Sequence, residues 1–147
     1  MPLWVHIFNP LVMAGCIVGV LLLNFGMLCV ASVGTGQHSH VKFAFSKIMT
    51  AFICAVLTFA VGYAVMALIF VFSDKALQNS LINCEYSSIN VLRVPILSLC
   101  ASAAVGYISS RVFIFNDVIC DAVTRTALCC CFTAVNLPYV LIIPVVI

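Results

Sequence analysis

The chain has 147 residues, 65% of them hydrophobic and only 7% charged, with a net charge of +2 and a mean hydropathy of +1.30. A soluble domain carries roughly 25% charged residues, so six basic and four acidic side chains cannot cover a water-facing surface of this size. The balance excludes a nucleic-acid-binding face, which needs a concentrated basic stripe, and leaves the bilayer as the solvent for most of the chain.

In chain order, residues 1–10 lack the basic n-region of a secretory signal, and Trp4, His6 and Phe8 suit an interfacial anchor. The first expected span is 11–33. It carries Gly15 and Gly19 in a Gly-x-x-x-Gly arrangement, which lets another helix approach closely, and Asn24 near its centre, suited to an interhelical hydrogen bond. Gly34 and Gly36 break the helix in the first loop. His38 and His40 in that loop have the spacing of a weak metal pair, but a lone His-x-His in a loop is usually solvated and no third ligand is identifiable. Lys42 and Lys47 at the membrane surface lead into a second span, 48–73, where Ala51, Ala55, Thr58 and Gly62 fall on one helix face. The second loop, 74–90, is the longest polar segment. Leu77, Leu81 and Ile82 within it predict a short surface helix, and the loop is the best place for contacts with a soluble partner.

The third span is 94–115. Arg93 and Arg111 bracket its apolar core over about 27 Å of α-helix, close to the ~30 Å hydrocarbon thickness. Ser98, Ser102, Gly106 and Ser110 recur every four residues and form a stripe of small side chains. Pro95 is expected in the first turn, where its missing N–H is harmless. A short turn follows. Asp117, Asp121 and Arg125 then share a face if a fourth helix starts at Val118, which predicts an Asp121–Arg125 ion pair. The fourth span, 118–147, is interrupted at Asn136-Leu137-Pro138-Tyr139, where Pro138 should kink it. The pattern as a whole predicts an all-α integral membrane protein, with one domain over 1–147 and four transmembrane helices in two hairpins. Lys42, Lys47, Arg111 and Arg125 fall on one side, Lys75 and Arg93 on the other. The positive-inside rule then turns both termini away from the cytosol, or from the matrix of a mitochondrion.

Chemistry is sparse. Asp117-x-x-x-Asp121 is the one paired carboxylate, able in principle to hold Mg²⁺ against a lipid phosphate. It resembles the last part of the motif of the CDP-alcohol phosphotransferases, a family of membrane lipid synthases. The upstream Asp-Gly and Ala-Arg elements of that motif are missing from this chain. Cys129-Cys130-Cys131 is not a Cys-x-x-Cys redox pair, because adjacent helical cysteines point apart. Placed just outside the bilayer, the triplet would suit palmitoylation. No catalytic residue, resident metal or cofactor is identified. The expected function is a non-catalytic structural or assembly subunit of a larger membrane complex, with the bilayer and other membrane subunits as partners. The expected location is a membrane, multi-pass, with the organelle open between the endomembranes and the mitochondrial inner membrane. The alternative is a small oligomeric transporter or channel with a polar site around Asn24, Asp117, Asp121 and Arg125, flanked by Arg111.

Overall fold

Long apolar runs leave the backbone no hydrogen-bond partner but itself once water is removed, and helices are the local solution. The structure, a computed structural model, describes residues 10–36, 40–83, 85, 88–118 and 120–139, and among them there is no strand. Helix α1 is Pro10–Gly34, α2 is His40–Phe72, α3 is Lys75–Ile82, α4 is Ile89–Ser109 and α5 is Ala122–Asn136. A π-helical turn, Ser110–Ile114, continues α4. The segments Met13–Val33, Lys42–Phe72 and Ile89–Ile114 are long and apolar enough to cross a membrane. They are compatible with a multi-pass integral membrane protein.

Local chemistry sets the ends. Pro10 opens α1 at a position that needs no donor. Beyond Gly34 the chain turns through Gly36 at φ 66°, a left-handed conformation that favours glycine. The expected surface helix of the second loop is α3. Asp74 caps it by accepting from the Leu77 N–H at 3.0 Å. Gln78 reaches back to donate to the carbonyls of Phe70 and Ser73 where α2 ends, at 2.8 and 3.1 Å.

Three boundaries differ from the sequence reading. Helix α2 begins at His40 instead of residue 48, because nothing between Val41 and Lys47 breaks a helix, so both lysines ride on it. Helix α4 begins at Ile89 instead of residue 94, which moves Pro95 from the first turn into the helix interior. Helix α5 begins at Ala122, not Val118, and ends at Asn136. Leu137 then turns extended (ψ 139°), as a residue before proline prefers, so α5 stops short of Pro138; the remainder of the fourth expected span, 140–147, lies outside the described residues. The interfacial anchor expected at Trp4, His6 and Phe8, and the pairing of His38 with His40, lie outside the described residues.

Helix α2 packs against α1 and α4, and α5 lies against α4 and α1. Two apolar clusters hold the bundle. One joins Leu28, Ala31, Ala44, Ala51, Cys54, Ile114, Phe115, Val118, Cys129 and Phe132 near the first loop. The other joins Met66, Val91 and Val94 with Leu81, which anchors α3 at the opposite end.

Candidate functional site

The polar residues separate into a pair inside the bundle and a charged group at one end. Inside, Asn24 of α1 faces Asn136, the last residue of α5. The Asn24 amide donates to Asn136 Oδ1 at 2.7 Å, and the Asn136 amide donates back to Asn24 Oδ1 at 2.8 Å. Each amide nitrogen also donates to the carbonyl four residues earlier in its own helix, Val20 at 2.8 Å and Phe132 at 2.9 Å. All four amide N–H donors are therefore engaged, in a site that is closed to solvent on the Asn24 side and nearly so on the Asn136 side. Within a stretch that can cross a bilayer, this is a direct polar bond between helices.

The buried hydroxyls play a different part. Thr58, Ser98, Ser102, Ser109, Ser110 and Thr133 each donate to a backbone carbonyl three or four residues earlier in their own helix. Between helices they contribute chiefly small volume, and Ser98 also reaches across to α2, where its hydroxyl lies 3.8 Å from Met66 Sδ. Gly106 shows how close the helices come. A Cβ there would stand 3.1 Å from Thr58 Oγ1 and 3.3 Å from Thr133 Cγ2, at the junction of α2, α4 and α5. Ser98, Ser102, Gly106 and Ser110 are buried on α4, and Ala51, Ala55 and Gly62 on α2. Gly15 is exposed and Gly19 partly so, and nothing lies within 4 Å of where their Cβ atoms would be.

At the end of the bundle shared by the first loop and the α4–α5 connection, Lys47 donates to both carboxylate oxygens of Asp117, at 2.6 and 2.8 Å. The Lys47 ammonium holds the Asp117 carboxyl below the usual carboxylate range. The ion pair expected between Asp121 and Arg125 is not formed. Asp121 precedes α5 instead of lying within it, so its carboxylate turns over the first turn and accepts from the Val123 and Thr124 N–H groups at 3.1 and 3.0 Å. Hydrogen bonds from Thr124, then from the backbone, hold its carboxyl below the usual range. This N-cap also sets an anion at the positive end of the helix dipole. Arg125 instead donates from Nη2 to the Val118 carbonyl at 3.0 Å, tying α5 to the connection before it. Arg111, on the π-helical turn, donates to the Tyr107 hydroxyl at 3.1 Å.

The five residues read from sequence as one polar cluster therefore divide. Asn24 is apart from the other four, with Asn136 for a partner. Asn136 and Lys47 are the functional neighbours that sequence reasoning passed over. The available signal was that Asn24 and Asn136 are each a single amide in an otherwise apolar run. The cysteine triplet starts two turns into α5, not beside its first residue, with Cys129 buried and Cys130 and Cys131 exposed. Among the described residues no group of three His, Cys, Asp or Glu side chains is placed to hold a metal. Two shallow depressions, one lined by Thr50, Ile53, Cys54, Leu57 and Phe113 and one by Ala122, Val123, Thr126 and Ala127, are apolar. The chain matches no protein-family model, no curated protein and no solved structure.

Proposed function

We propose that the protein is a non-catalytic subunit or assembly factor of a larger membrane-protein complex. It makes four membrane passes in two hairpins, α1–α2 and α4–α5, the last pass begun by α5. The observation that carries this reading is the division of the small-residue faces. Those of α2 and α4 are consumed within the chain around Gly106, whereas Gly15 and Gly19 of α1 stay open among the described residues. Glycines spaced by four on an apolar helix form a surface against which another transmembrane helix packs closely. The interior supports the same reading, because its amides and hydroxyls are engaged with one another or with backbone and line no polar cavity. Residence in an endomembrane or the mitochondrial inner membrane belongs to this proposal.

Purification in mild detergent tests it. Other membrane chains should co-purify with the wild type, and Gly19→Leu should lose them while its own thermal unfolding stays unchanged. A protein that purifies alone, with Gly19→Leu behaving as wild type, overturns the reading. One observation favours a second reading, an oligomeric transporter. Helix α5 stops at Asn136, beside a buried amide, and discontinuous helices mark many transporter sites. A clean homo-oligomer whose flux is abolished by Asn24→Leu would support that alternative.

A further inference from the structure

A depression of about 220 Å³ opens between α2 and the π-helical turn that ends α4, lined by Thr50, Ile53, Cys54, Leu57 and Phe113. Ile53, Leu57 and Phe113 are exposed, and the small Cys54 is buried at its floor. From Thr50 to Leu57 this apolar lane follows α2 for about 10 Å. The two parts of the chain that line it also carry the Lys47–Asp117 bridge. Lys47 precedes Thr50 by three residues within α2, so the two share a face. Asp117 follows Phe113 by four residues, and the Lys47 ammonium joins it at 2.6 and 2.8 Å. The ion pair therefore stands at the head of the lane, at the end of the bundle where α2 begins.

The bridge does not saturate either partner. An ammonium has three N–H donors and a carboxylate about four acceptor positions, and two hydrogen bonds join them here. The Asp117 side chain is 69% exposed and that of Lys47 17%, so both groups reach the surface. A cation and an anion held together complement a head that carries one charge of each sign.

We propose that this lane binds a phospholipid whose head combines a phosphate with a primary ammonium, phosphatidylethanolamine. The remaining Lys47 N–H donates to the phosphate, the Asp117 carboxylate accepts from the ammonium, and one acyl chain lies in the lane over Cys54. Charge decides the occupant. An anionic lipid brings a phosphate but no cation, and it meets the Asp117 carboxylate. A choline head brings a cation with no N–H to donate. Lys42, Arg111 and Arg125 at the same end attract anionic heads without selecting any position, so a preference for phosphatidylethanolamine has to come from Asp117. The site needs only that these segments lie in a bilayer, and it stands apart from the subunit reading.

Native mass spectrometry of the full chain in mild detergent, titrated with phosphatidylethanolamine, phosphatidylcholine or phosphatidylglycerol, tests this. Wild type should retain phosphatidylethanolamine most strongly. Asp117→Asn should weaken that binding about threefold, the scale of an exposed charge pair, and should strengthen phosphatidylglycerol binding. Opposite changes for two lipids cannot come from misfolding, which would lower both. Ile53→Trp, which fills the lane, should weaken phosphatidylethanolamine binding about fourfold, the equivalent of one displaced methylene. Leu68→Trp places the same bulk at another exposed position of α2, away from the lane, and should leave binding as in wild type. Retention of phosphatidylglycerol or phosphatidylcholine equal to that of phosphatidylethanolamine by wild type overturns the proposal. Equal losses from Ile53→Trp and Leu68→Trp also overturn it, because the lipid would then lie elsewhere on the bundle.

Discussion

Replacing Asn24 with leucine would remove both interhelical amide bonds at once, leaving Asn136 with only its bond to the Phe132 carbonyl. Bonds of this kind between membrane helices contribute about 0.6–2 kcal/mol, so Asn24→Leu should destabilise the bundle by about 1–2 kcal/mol. The double variant with Asn136→Leu should lose less than the sum of the singles, since no amide is then orphaned. Denaturant unfolding in mixed micelles measures this coupling, and strict additivity would mean that the pair is not energetically linked. Asp117 makes a prediction in pH. Its carboxyl is lowered by the Lys47 ammonium, so the folded state binds this proton less readily than the unfolded state. The stability it contributes is present above the ordinary carboxylate value of about 4 and is lost as pH falls through the lower folded value. Because Asp117 is largely exposed, the effect should be under about 1 kcal/mol. Thermal unfolding of wild type should weaken below that pH more than that of Asp117→Asn, and parallel pH profiles would show the bridge to be silent.

At the scale of elements, Gly106 is where three helices meet. A leucine there must displace Thr58 and Thr133, and overpacking of this kind costs about 1–3 kcal/mol. Val105→Leu, on a partly exposed position, should cost much less. Thermal unfolding in detergent compares the two, and equal midpoints would remove the close-packing argument. The spacing of small residues along α4 was visible in sequence because a helix turns every 3.6 residues. Their partners were not visible, since Thr58 and Thr133 come from distant parts of the chain. Helix α5 shows the same limit. A period-four pattern containing Asp121 and Arg125 fits either a pair inside a helix or a cap followed by the first turn. Only the extended backbone at Asp121, ψ 160°, separates the two.

Across the whole molecule, the basic residues sort by end. Lys42, Lys47, Arg111 and Arg125 gather at the end where α1 and α4 finish, and Lys75 lies on α3 at the other. The positive-inside rule then places Lys75 on the outer side. A membrane-impermeant amine reagent applied to sealed cells or organelles should modify Lys75 and spare Lys42, both exposed in the structure. Modification of Lys42 alone would reverse the topology. Composition and periodicity alone determined that this chain is helical and apolar enough to cross a membrane several times. Sparse charge and long apolar runs leave the backbone few alternatives, and both are local properties of the chain. Tertiary structure decided the rest. Asn24 found its partner on α5, Asp117 found Lys47 across the bundle, and Arg125 turned to the Val118 carbonyl instead of Asp121. Each of these depends on which faces meet when α1, α2, α4 and α5 pack. That choice follows from the fit of small and large side chains between helices far apart in sequence, which no local pattern encodes.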